Sequence, residues 1–163
     1  MKILKTLLFM LCISLIAIPA QAFTINSLDV EVFENGDCNI NFDYKMTFVE
    51  YIGYYTNIAS PADEIRKELD KRTSRPVEII SVSPSEAKFK VFEYAKVTHS
   101  NGNKVYTVPS ISFSKAEEIL NEHWISKITS FDLSPEKTEV KFPDGYIETY
   151  QNQMDIPQIV HKE

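Results

Sequence analysis

Disulfides, phosphate cradles and zinc sites need residues that this sequence scarcely has. The 163-residue chain contains two cysteines, four glycines, one tryptophan and three histidines. Cys12 lies in an apolar N-terminal run, so Cys38 stands alone in the remainder. No internal disulfide is therefore expected, and the hydrophobic core must hold the fold. Cys38 opens an apolar strand face, which argues for burial. A reactive thiol or an intermolecular bridge is the alternative. None of the glycines has phosphate-binding spacing. His99, His123 and His161 are far apart and have no His or Cys partner at ligand distance in sequence, so zinc is not expected. Asn35-Gly36-Asp37 reads as a turn rather than a calcium loop. No serine sits in a Gly-x-Ser-x-Gly elbow. No cofactor, metal or catalytic constellation is expected, and the chain is read as a non-enzyme.

What is present begins with an address. Lys2 and Lys5 precede an uncharged apolar run from Thr6 to Pro19, followed by Ala20-Gln21-Ala22. This order is that of a secretory signal peptide over residues 1–22. The run is shorter than the roughly 20 residues of a spanning helix. An uncleaved N-terminal anchor is the alternative. Cleavage after Ala22 would leave 141 residues with 15 basic and 23 acidic side chains, a formal charge of −8. That is one domain's worth of chain. Its acidity, with no basic patch, argues against nucleic acid and anionic membrane surfaces as partners. No second apolar span follows.

Hydrophobic periodicity then supplies the elements. Leu28, Val30 and Val32 alternate with acids. Cys38, Ile40, Phe42, Tyr44 and Met46 alternate with polar residues, and Asn35-Gly36 joins the two runs as a hairpin. From Phe48 the period turns helical, through Tyr51, Ile52, Tyr55 and Ile58. Ser60-Pro61 then opens a second helix, with Ala62, Ile65 and Leu69 as its apolar stripe. Strands are expected at Val77–Val82, around Ala87–Val91 and from Val105 to Phe113, the last one at an edge or broken by Pro109. Asn101-Gly102 marks a hairpin tip. Ser114, with Glu117 as a capping box, starts another helix bearing Ile119, Leu120, His123 and Trp124. Strands follow at Ile128–Leu133, Thr138–Phe142 and Tyr146–Tyr150.

These elements predict an α+β fold for residues 23–150: a largely antiparallel sheet of seven or eight strands with two or three helices on one face. Residues 151–163 read as a polar tail. A pseudo-repeat is also suggested. Each Ser-capped helix leads to a strand, a Ser-Pro turn (Ser83-Pro84, Ser134-Pro135) and a Lys-bearing strand.

The segments Phe142-Pro143-Asp144-Gly145-Tyr146, Ile58 to Glu64 and Phe23 to Leu28 together resemble those of small exported proteins of unknown function from methanogenic archaea. The resemblance covers most of the chain after the leader. Its motifs are structural, so it implies export and no particular chemistry.

The densest functional lead is aromatic. Tyr44, Phe48, Tyr51, Tyr54 and Tyr55 crowd twelve residues, and tyrosine suits interfaces because it joins an apolar body to a polar tip. A core stripe packing onto the sheet is the better account of Phe48, Tyr51, Ile52 and Tyr55, because their spacing matches it, whereas Tyr54 falls off that stripe. Tyr51, Tyr54, Tyr55 and Trp124 are the candidate ligand or partner surface. Glu118, Glu122 and His123 could form a carboxylate–imidazole metal site, but an acidic solvated helix face accounts for them. The expected function is an exported domain that binds a protein or cell-envelope component. Carriage of an apolar ligand between sheet and helices is the alternative, and an exported hydrolase comes last.

Overall fold

The structure is a computed structural model and describes residues 23–45, 75–100, 102–114, 117–118 and 131–163. Twelve strands run through these residues: β1 Phe23–Val32, β2 Cys38–Lys45, β3 Val77–Val82, β4 Glu86–Val91, β5 Lys96–Ser100, β6 Asn103–Val108, β7 Ile111–Ser112, β8 Phe131–Asp132, β9 Lys137–Lys141, β10 Ile147–Gln151, β11 Asp155–Ile156 and β12 Ile159–Lys162. They form a seven-stranded sheet ordered β10-β9-β1-β2-β4-β3 with β8 also on β1, a three-stranded sheet β12-β6-β5, and the pair β11-β7.

The large sheet has one dry and one wet face because its registers align the apolar alternation of β1, β2, β4 and β9. Leu28 faces Phe42, Val30 faces Ile40, and Val32 faces Cys38. Those residues of β2 in turn face Ala87, Phe89 and Val91. Val140 of β9 lies beside Val30 on the other flank. The opposite face carries rows such as Glu31, Asn39 and Lys90, or Asp29, Asn41 and Lys88. Its ion pairs, including Lys141–Glu31 at 3.5 Å, are half exposed and contribute little stability.

The expected α+β architecture is corrected by what covers the dry face. Of the described residues, 62% are strand and 4% helical, and no complete helix lies among them. Leu28, Val30, Val140 and Phe142 of the large sheet share one core with Tyr106 and Val108 of β6, Ile156 of β11 and Ile159 of β12. The cover that the sequence suggested would be helical is, on this side, a second sheet. Residues 151–163, expected as a tail, contain β11 and β12, and β12 pairs antiparallel with β6 over Ile159–Lys162. The aromatic segment from Phe48 and the Ser60 helix lie outside the described residues. The helical turn near Ser114 begins at Phe113, so Ser114 is inside it, and its hydroxyl donates to Asp155 at 2.8 Å.

The pseudo-repeat is corrected as well. At Ser83-Pro84 the chain reverses, and β3 pairs antiparallel with β4. At Ser134-Pro135 it does not reverse: β8 and β9 both run parallel to β1, in succession. An irregularity in β1 between Ile25 and Ser27 matches this break, and Glu136 N–H donates across it to Ile25 O at 3.1 Å.

The two sheets meet where β4 crosses into β5. The β1–β2 turn clamps the crossing. Ala95 N–H donates to Gly36 O at 2.9 Å, and Glu93 N–H donates to Asp37 Oδ1 at 3.0 Å. Lys90 Nζ lies 3.6 Å from the other oxygen of Asp37. The Glu93 amide, first, and then Asn35 and Lys90 hold the Asp37 carboxyl below its ordinary 3.8 against the opposing effect of burial. A depressed folded-state value means that this stabilisation is present above the ordinary value and is lost as pH falls through the folded one. Asp37→Ala, which leaves the Glu93 amide without its acceptor, is expected to cost about 1–3 kcal/mol at neutral pH. Asp37→Asn keeps an acceptor and should flatten the loss of stability as pH falls below the ordinary carboxylate value, measured by urea denaturation.

Candidate functional site

The sequence-predicted residues Tyr51, Tyr54, Tyr55 and Trp124 lie outside the described residues, as do Glu122 and His123. Glu118 is exposed in the helical turn after β7. His99 is exposed on β5. Cys38 is fully buried. Burial pushes its thiol up to about 12, so it stays protonated and unreactive in the folded chain. Among the described residues no group of three or more His, Cys, Asp or Glu is placed to hold a metal ion. No helix among them is long and apolar enough to cross a membrane.

A different aromatic cluster emerges where the β9–β10 turn meets β12. Phe142 directly follows β9 and is buried. Pro143-Asp144-Gly145 reverses the chain, with Gly145 N–H donating to Phe142 O at 2.9 Å and Gly145 at φ +88°. Asp144 Oδ1 accepts from the Tyr146 backbone N–H at 3.0 Å, which fixes the turn and frees the other carboxylate oxygen. That oxygen meets His161 Nε2 at 2.8 Å. The Tyr146 amide first, and then His161, keep the Asp144 carboxyl below its ordinary value.

His161 is thereby locked in orientation, and its ring lies flat against Tyr146, with centroids 4.5 Å apart and planes 2° from parallel. Phe142 supports both rings from the core side, 4.5 Å from His161 and 6.0 Å from Tyr146, and Phe142 in turn packs on Tyr106.

Period-2 geometry puts Tyr146, Glu148 and Tyr150 on one side of β10. Both phenols donate to the carboxylate between them: Tyr146 Oη to Oε2 at 2.7 Å and Tyr150 Oη to Oε1 at 3.4 Å. The hydrogen bond to Glu148 is the first cause that raises the Tyr146 phenol. Burial, then Glu148, raises that of Tyr150.

Tyr146 is the outlier among the described tyrosines. Tyr44 and Tyr106 are buried, whereas Tyr146 is 46% exposed even with one ring face on His161. Ile147 (47%) and Val160 (64%), the chain neighbours of Tyr146 and His161, are also exposed apolar residues, on the opposite faces of their strands. They sit on β10 and β12, which are the end strands of their sheets. An edge strand with exposed apolar residues is a template for another chain unless it is protected. The groups offered here are ring faces, carboxylate acceptors and strand edges, a set suited to holding a partner.

Sequence reasoning treated Tyr146 as the start of a strand and His161 as part of a tail. The available signal was the alternation of Ile159 and His161 with Val160 and Lys162. Nothing in it indicated that the two segments meet. No family model matches the chain, and no curated protein or solved structure matches it.

Proposed function

We propose that the chain is an exported, non-enzymatic domain that binds a protein or a cell-envelope component at the corner where Tyr146 stacks on His161, together with the exposed edges of β10 and β12 that carry these rings. The leader pattern of residues 1–22 supports export. The observation that carries the binding reading is Tyr146 itself: a tyrosine oriented by stacking on a hydrogen-bonded histidine, yet left nearly half exposed. Rigid, half-exposed aromatics supply interface area at little entropic cost, and such residues concentrate binding energy.

The test is co-sedimentation of the protein, in the form that an exporting host releases, with envelopes of the source organism. The wild-type chain should sediment. The Tyr146→Ser/Val160→Ser double variant should bind about tenfold more weakly. Ile80→Ser, at an exposed position on the opposite edge strand β3, should behave as wild type. Equal sedimentation of the wild type and the double variant would overturn the reading, as would turnover in a broad hydrolase screen.

A further inference from the structure

Glu148 is an odd residue for its position. Its register partner on β9 is Val140, which is fully buried on the dry face. Glu148 thus points toward the apolar side of the large sheet, in a row otherwise made of Val140, Val30, Ile40, Phe89 and Ile79. Charged residues turned inward on edge strands do protect against edge pairing. That accounts for a charge at this position but not for its surroundings. The carboxylate is positioned by two phenols, one on each oxygen. Among the described residues no basic side chain pairs with it. Lys141, its nearest lysine in the strand register, projects to the wet face and pairs with Glu31. Asp144, on the turn that precedes β10, is by contrast engaged by His161.

We propose that Tyr146, Glu148 and Tyr150 form a seat for a cationic side chain of a partner protein, arginine above all. This rests on the reading of the corner as a binding surface and names the partner's chemistry. The guanidinium lies on the exposed part of the Tyr146 ring, whose π face attracts cations, and its fork meets the Glu148 carboxylate. The phenol donors hold that carboxylate in place, so little side-chain freedom is lost on binding. The net acidity of the chain favours the approach of a basic partner.

The experiment is an NMR titration of the isotopically labelled, processed protein with N-acetyl-arginine amide, and in parallel with its neutral isostere N-acetyl-citrulline amide. Arginine should shift the Tyr146, Glu148 and Tyr150 side-chain resonances, with citrulline binding about tenfold more weakly. Glu148→Gln should weaken arginine binding about tenfold, and Tyr146→Leu about fivefold. Thr149→Ala, on the other face of β10, should leave it unchanged. The unaltered His161 signals of the Glu148→Gln variant report that the corner is still folded. Equal binding of arginine and citrulline, wild-type affinity in Glu148→Gln, or no shift at these residues would overturn the seat. Failure here with envelope sedimentation still dependent on Tyr146 and Val160 removes the cation seat and leaves the broader reading standing. Arginine binding without sedimentation does the reverse.

Discussion

Phe142→Ala is expected to cost about 3–5 kcal/mol, the usual range for deleting a fully buried aromatic ring. Phe142 is 1% exposed and is the shared support of three rings, lying 6.1 Å from Tyr106, 6.0 Å from Tyr146 and 4.5 Å from His161. The loss therefore combines transfer free energy, a cavity between the two sheets and aromatic contacts worth about 0.5–1.5 kcal/mol each. Domains of this size have about 5–15 kcal/mol of stability in all. Equilibrium urea denaturation should thus show a midpoint lowered by about 2 M. The same variant should disorder the binding corner. Ring-current shifts of His161 from Tyr146 should collapse even under conditions where the β1–β2 hairpin stays folded. A midpoint within experimental error of wild type would show that Phe142 does not join the sheets as described.

The second large effect is expected at Gly36. Its φ is +87°, and a Cβ there would lie 2.3 Å from the backbone oxygen of Ala95. Gly145 has nearly the same φ, +88°, but nothing lies within 4 Å of its missing Cβ. The pair separates two costs. Gly145→Ala carries only the left-handed penalty, about 1–2 kcal/mol. Gly36→Ala carries that penalty and must also displace the segment that takes the chain from one sheet to the other. The obstacle is backbone and cannot swing aside, so about 3 kcal/mol or more is expected. Thermal denaturation of the two alanine variants side by side measures the difference. Equal losses would mean that the crossing segment yields freely.

Much of the sheet was legible. The hairpin of β1 and β2, the strand Val77–Val82, the strand around Phe89 and the antiparallel return of the chain from β5 to β6 all follow from apolar runs bounded by turn residues. These are local signals, and each is confirmed by the register of the strands. The Ser-Pro sites show where local signals stop. Ser83-Pro84 and Ser134-Pro135 look alike in sequence, but one reverses the chain and the other lets it continue along β1. The difference is set by which neighbour the next strand finds. The site was not legible. Tyr146 and His161 are fifteen positions apart, and His161 reaches Tyr146 only because β12 adds to β6 after the chain has passed through β11.

Taken alone, the sequence determined the leader pattern, the acidic charge balance, the single cysteine after that pattern and the alternation that gives the large sheet one dry face. Those properties belong to single residues or to neighbours along the chain. Only the tertiary structure decided that the dry face is closed on the β1–β9 side by strands rather than helices, that the last thirteen residues include two of the strands, and that an exposed tyrosine is stacked on a histidine beside a doubly hydrogen-bonded glutamate. Pairing across a sheet and packing between sheets are set by long-range burial. Periodicity states which face of an element must be covered; it does not say by what.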